Sequence, residues 1–218
     1  MKRDIASYRT RLQDKAQAEQ YAARFERGSR ARIDRREQRA VRKIFAHLPD
    51  CHSVLDVPCG AARFVNALAE GGRRVWGADS AREILIHAQK RAMRFGVRAG
   101  FIHGDASRLP FGPDAVDAVF CNRLLHHILK PQERAVILRE LRRVSRRYLV
   151  ISFFDYHGFA AVRRLLKSLK GSKPKYAGQP THEQFEREVN KCGLRVRDLV
   201  PTGAVWVSQK YIVLEKAL

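Results

Sequence analysis

Between residues 8 and 47 the chain is rich in Arg, Gln, Glu and Ala and has no interior proline. Ile33, Ala40, Val41, Ile44 and Phe45 recur near helical spacing, which predicts helix with one apolar stripe. Gly28-Ser29 is expected to split this stretch into two helices, and Pro49-Asp50 to end the second. The following hundred residues alternate short apolar runs with helical patterns. The runs predict strands at Ser53–Val57, Arg74–Ala78, Ala99–His103, Ala118–Asn122 and Tyr148–Phe153. Helices are expected between them at about 61–70, 81–94, 106–108 and 132–145, with Gly71-Gly72 and Gly96 at helix ends.

Past residue 155 the rhythm changes. Residues 156–180 hold six Lys or Arg and no acidic residue. A helix over His157–Lys170 would group Phe159, Val162, Leu166 and Leu169 on one face, with an irregular loop over Gly171–Pro180. A further helix is predicted at Thr181–Cys192, with Thr181 as N-cap and Gln184 in the capping-box position. Strands at Leu194–Val200 and Lys210–Glu215 close the chain. Strands separated by helices imply parallel βαβ units, so the expected class is α/β. The architecture is a doubly wound, seven-stranded, mostly parallel sheet with an antiparallel edge strand and N-terminal helices. Residues 1–49 are expected to form a helical lid or extension, and 50–218 the main domain, with a basic insertion at 156–180.

Composition narrows the class. At 218 residues with 45% hydrophobic content, one well-buried domain is affordable. No apolar run is long enough for a membrane-spanning helix. Met1-Lys2-Arg3-Asp4 leads into polar sequence without a signal-peptide core, so the expected compartment is the cytoplasm. Cys51, Cys59, Cys121 and Cys192 lack paired metal-ligand spacing and read as buried or half-buried free thiols, with no metal site. Lys plus Arg number 43 against 22 acidic residues, a formal charge of +21 spread along the whole chain. That field favours anionic partners: nucleic acid, anionic lipid headgroups or a phosphorylated small molecule. By itself it does not choose among them.

In an open parallel sheet, ligands bind beyond the carboxyl ends of the strands. The first such turn reads Asp56-Val57-Pro58-Cys59-Gly60-Ala61-Ala62, where Gly60 can take positive φ or admit a ligand close to the backbone. It lacks the three spaced glycines of a dinucleotide site, which disfavours a dehydrogenase. The second strand ends in Ala78-Asp79-Ser80, placing a carboxylate where it can accept from both hydroxyls of a ribose. Asp79 or Ser80 can equally serve as a helix N-cap. The third segment, His103-Gly104-Asp105-Ala106-Ser107-Arg108-Leu109-Pro110-Phe111, offers an acidic side chain followed by apolar surface.

These segments, with Asp114–Ile128 and Arg139–Val144, resemble class I S-adenosylmethionine-dependent methyltransferases, most closely the small-molecule type that includes quinone-pathway enzymes. The resemblance covers about residues 50–155 and implies a Rossmann-like domain with S-adenosylmethionine as cofactor. On that basis Asp56, Pro58, Gly60, Asp79, Ser80, Asp105, Ala106 and Asn122 are expected to bind the cofactor, Asp105 and the Ala106 amide facing the adenine. Pro58 and Ala62 stand where the family usually has glycine. The loop holding His126 and His127 should face the methyl acceptor, so either is a candidate catalytic base, while one of the pair packing or capping a helix is the plainer alternative. Tyr21, Tyr156 and His157 are candidate substrate-binding residues, in the lid and the insertion.

The expected function is methylation of an anionic or membrane-proximal small molecule, such as a lipid-linked sugar, a phospholipid or a quinone precursor, with peripheral contact to an anionic membrane. The insertion would suit such a lipid interface or a clamp on a phosphorylated acceptor; a solvated basic face is the alternative. Two other readings stand beside it. An RNA methyltransferase would use the same charge, although no RNA-binding module is evident and nucleic acid is not favoured. A non-catalytic S-adenosylmethionine-binding or scaffold protein is suggested by Pro58 and Ala62.

Overall fold

Strands β1 (Ser53–Asp56) and β4 (Val116–Cys121) are buried at every position, as strands covered on both faces must be. With β2 (Arg74–Asp79), β3 (Ala99–His103), β5 (Ser145–Phe154), β6 (Leu194–Pro201) and β7 (Gln209–Lys216) they form one sheet in the order β3-β2-β1-β4-β5-β7-β6. The chain is seen here as a computed structural model that describes residues 14–25, 28–48, 50–154, 179–203 and 209–217. Strands β1 to β5 pair in parallel; β7 runs antiparallel between β5 and β6, so the mixed edge is a pair of strands.

Alternation along the strands builds two cores. Val54, Ala118, Phe120, Tyr148, Val150, Tyr211 and Val213 face one side. Leu55, Val119, Cys121, Leu149, Ile151, Ile212 and Leu214 face the other. The first face is covered by α2 (Gly28–Ala46), α3 (Val65–Ala69) and α4 (Arg82–Arg94). The second is covered by α5 (Pro131–Val144) and α6 (His182–Lys191). Helix α5 starts with Pro at its first position, where no N–H is needed, and buries Ile137, Leu138, Leu141 and Val144 at helical spacing. Thr181 and Gln184 form the expected capping box of α6, with reciprocal bonds of 3.1 and 2.9 Å. Helix α1 (Lys15–Ala22) packs on α4, burying Ala18 beside Ala61, Ala81 and Ile84.

Two local expectations change. Residues 106–108 are not helical: Asp105 and Arg108 form an isolated bridge around a turn. The helix expected at 61–70 shortens to α3, because Ala62 sits at φ +50° and delays helical geometry. The expected division into two helices holds: α1 passes into a short 3-10 turn at Ala23–Phe25, and Gly28, at φ +64°, opens α2. Tyr156, His157 and the basic insertion up to residue 178 lie outside the described residues. No helix among the described residues is long and apolar enough to cross a membrane.

Candidate active site

The loop after β1 is tied into the sheet one amide at a time. Val57 N–H donates to Phe120 O at 2.9 Å and Cys59 N–H to Ala78 O at 2.9 Å. Gly60 N–H donates to Asp79 Oδ2 at 2.9 Å. Gly60 has φ +52°, so the position favours glycine by conformation; a Cβ there would meet the Tyr21 ring at 3.4 Å, an ordinary contact.

Asp79 joins three loops. Its Oδ2 holds Gly60, its Oδ1 accepts from Ala81 N–H at 3.0 Å, and its backbone carbonyl accepts from Gly104 N–H at 3.0 Å. The N-cap of α4 is Ala81, with no side-chain cap; Asp79 holds the Ala81 amide from outside the helix, and His103 Nε2 lies 3.0 Å from the Ser80 carbonyl. Burial pushes the Asp79 carboxyl above the usual carboxylate range, against three backbone N–H groups that pull it down. Asp56, 3% exposed, is raised well above its ordinary value by burial; Arg63 opposes this and Asp79 adds to it. Three backbone donors leave one of the four lone-pair positions of the Asp79 carboxylate for a ribose hydroxyl.

Asp105 lies past β3 and folds its own turn, its Oδ1 accepting from Ser107 N–H at 2.8 Å and Ser107 Oγ at 2.7 Å. Ala106 packs against the same core as Leu109, whose N–H donates to Glu140 Oε1 at 2.6 Å. That bond, with the Arg143–Phe111 carbonyl bond at 2.8 Å, fixes the apolar Leu109–Phe111 wall beside the second strand.

Tyr21, Phe25, Asp56, Pro58, Gly60, Asp79, Asn122 and Arg123 line one cleft of about 560 Å³, its open mouth included. The structure thus brings together Tyr21 and five of the expected cofactor residues. Ser80, Asp105 and Ala106 stand outside that lining, on neighbouring loops. Asn122 is 8% exposed and its Oδ1 accepts from Tyr211 Oη at 3.3 Å.

The histidine pair is placed differently. Leu125–His127 is a 3-10 turn in which the His126 ring lies 3.9 Å from His127 and 4.5 Å from Phe154 between centroids. His126 lines a smaller cavity with Phe153, Phe154 and Phe185, not the cleft. Its Nδ1 is buried without a partner among the described residues. Burial first, then His127 and Arg123, push its pKa down to about 2, so the ring is neutral and a weak proton acceptor. The packing alternative describes His126 better than the base reading does.

Sequence reasoning missed the wall opposite Gly60. Glu37 of α2, 1% exposed, receives both Arg63 and Arg123, and Arg63 also pairs with Asp34. Phe25 lies under both guanidinium groups, at 4.4 and 5.7 Å. The signal was present: Glu37 is four residues from Ile33 and from Val41, a carboxylate inside the apolar stripe that had to meet a cation.

Residues 54–147 match a family model described as a methyltransferase domain. These residues, less than half of the chain, are similar to a methyltransferase domain. The loop after β1, Asp79 and the Gly104-Asp105 turn all lie within it. A demethylmenaquinone methyltransferase of Clavibacter sepedonicus is 32% identical over 112 residues, which is 51% of this chain and 44% of that protein. An uncharacterised methyltransferase of Schizosaccharomyces pombe is 32% identical over 105 residues, 46% of this chain and 38% of that protein. The chain thus spans less than half the length of these curated relatives. The fold extends further than the domain: magnesium protoporphyrin IX methyltransferase of Synechocystis PCC 6803, crystallised with bound SAH, superposes with a TM-score of 0.77 at 18% identity. That superposition covers 98% of this chain and 100% of the other.

Proposed function

We propose that the cleft binds S-adenosylmethionine and that the protein transfers its methyl group to an anionic or membrane-proximal small molecule. The observation that carries this reading is the stitching of the Gly60 loop to the Asp79 carboxylate at the carboxyl ends of adjacent strands. Asp79 and Ser80 would hold the ribose, Asp105 and Ala106 the adenine, and Asp56, Pro58, Gly60 and Asn122 the amino-acid end. The cofactor supplies an electrophilic methyl carbon on a sulfonium, so the protein's work is alignment and exclusion of water.

Tyr21 rests on Gly60 from α1 and can close that end of the cleft over the acceptor. His127 stays a candidate for proton transfer, while His126 packs against Phe154 in the smaller cavity. Tyr156 and His157 are assigned to the acceptor side. Among the small molecules considered, quinone precursors are favoured by the likeness to demethylmenaquinone methyltransferase. The exposed Arg32, Arg35, Arg36 and Arg39 of α2 favour approach to an anionic surface, and a cytoplasmic protein peripheral to a membrane would use them so. Incubation with methyl-labelled S-adenosylmethionine and separated small-molecule, lipid and RNA extracts tests the proposal. Label should enter the small-molecule or lipid fraction. Entry into RNA would favour the RNA reading, and binding without transfer a scaffold.

A further inference from the structure

We infer that Arg123 and Gln209 form an anchoring subsite for a carboxylate on the methyl acceptor. Two buried donors in this corner lack any partner among the described residues: Arg123 Nε and Gln209 Nε2. Gln209 is 5% exposed, at the start of β7. A guanidinium can only donate, so Gln209 Oε1 must face Arg123 Nη2, at 3.0 Å, and the amide NH₂ points elsewhere. Other groups of Arg123 hold it in place. Its Nη2 also donates to Glu37, its backbone N–H donates to Ser152 Oγ at 2.6 Å, and its guanidinium lies 5.7 Å from the Phe154 ring.

A buried donor with no acceptor has lost its hydration without replacement, which is why native proteins keep few of them. Here two such donors belong to side chains that share one hydrogen bond, Arg123 Nη2 to Gln209 Oε1. Arg123 is also a long side chain held at φ +59°, a left-handed conformation that such residues rarely adopt and that concentrates at ligand sites. Both observations point to an absent group bearing two acceptor oxygens.

Sheet order places the subsite on the acceptor side. Gly60 and Asp79 follow β1 and β2, whereas Arg123 follows β4 and Gln209 opens β7. Three strand steps separate β1 from β7, roughly 14 Å at the usual inter-strand spacing. A cofactor over β1 and β2 leaves this corner to the second substrate, and Arg123 keeps it continuous with the cleft. Arg63 and Arg123 are largely balanced by Glu37 and Asp34, so a planar monoanion suits the site better than a dianionic phosphate. The inference rests on the cofactor reading above.

Arginine side-chain ¹H–¹⁵N spectra of the protein saturated with S-adenosylhomocysteine provide the test, with Arg123→Lys identifying the Arg123 Nε–H signal by its loss. Benzoate should shift that signal saturably, while benzamide and inorganic phosphate at the same concentration should not. Gln209→Glu keeps an oxygen toward Arg123 and replaces the idle donor with an acceptor. It should weaken benzoate at least tenfold and leave S-adenosylhomocysteine affinity within twofold; Gln209→Met gives a second, uncharged variant. No benzoate shift, an equal shift from benzamide or phosphate, or unchanged benzoate affinity in both variants would overturn the inference. Competition between benzoate and S-adenosylhomocysteine would also overturn it, assigning the corner to the cofactor's own carboxylate. If wild-type protein binds no S-adenosylhomocysteine, the cofactor reading fails separately, and the benzoate titration of the free protein decides the subsite.

Discussion

Asp79 and Asp105 both end strands and both are assigned to the cofactor, yet their structural duties differ. Asp79 holds Gly60 and Ala81 by their amides in a nearly closed environment, whereas Asp105 holds Ser107 of its own half-exposed turn. Asp79→Ala is therefore expected to lower stability by about 2–4 kcal/mol, two lost acceptors, as well as abolishing tight cofactor binding. Asp105→Ala should weaken cofactor binding about tenfold with a stability cost of roughly 1 kcal/mol. Urea denaturation paired with calorimetry separates the two, and equal stability losses would contradict the assigned duties. His126 gives a second residue-level test. Its folded-state pKa is depressed to about 2 from an ordinary 6.5, so between these values the unfolded chain binds a proton that the native state refuses. Stability is thereby lost as pH falls below about 6.5, at about 1.4 kcal/mol per pH unit from this group alone. In His126→Phe that contribution disappears, and urea midpoints at pH 7 and pH 5 should lie closer together than in wild type. An unchanged difference would mean that His126 is not held neutral.

At the level of elements, helix α2 couples the core to the cleft. Its inner face buries Ala40, Val41, Ile44 and Phe45, and from the same face Glu37 receives Arg63 and Arg123. Glu37→Ala leaves both guanidinium groups short of their shared carboxylate, an expected loss of about 3 kcal/mol in urea denaturation. A loss below about 0.5 kcal/mol would show the pair to be solvent-compensated. Helices α4, α5 and α6 and all seven strands were legible because each has an apolar period and a stop signal, such as Gly96 at φ +65° after α4. Residues 61–64 were not, because helical propensity says nothing of the left-handed Ala62 that the loop imposes. The turn at 106–108 failed for a related reason: Asp105 captures the Ser107 amide that a helix would have used. The loops proposed to hold the cofactor stand out in the sequence as acidic residues at or just past strand ends. The Glu37–Arg63–Arg123 wall joins residues far apart in sequence, and only its carboxylate betrayed itself locally.

For the whole molecule, parallel strands β1 to β4 gather the loop after β1, Asp79, Asp105 and Asn122 at one edge, as open α/β sheets require. The β7 hairpin with β6 extends that edge and brings Gln209 to Arg123. Helix α1 places Tyr21 over Gly60, so the N-terminal region takes part in the cleft. The +21 charge surrounds this site with a field that attracts anions, consistent with an acidic acceptor and with an anionic surface nearby. All of this turns on one ligand. Titration calorimetry of the protein with S-adenosylhomocysteine should show saturable one-to-one binding in the wild type, weakened at least tenfold by Asp79→Ala. Wild-type protein that gives no binding heat over a range of temperatures, and no rise in melting temperature with the ligand, would contradict the account.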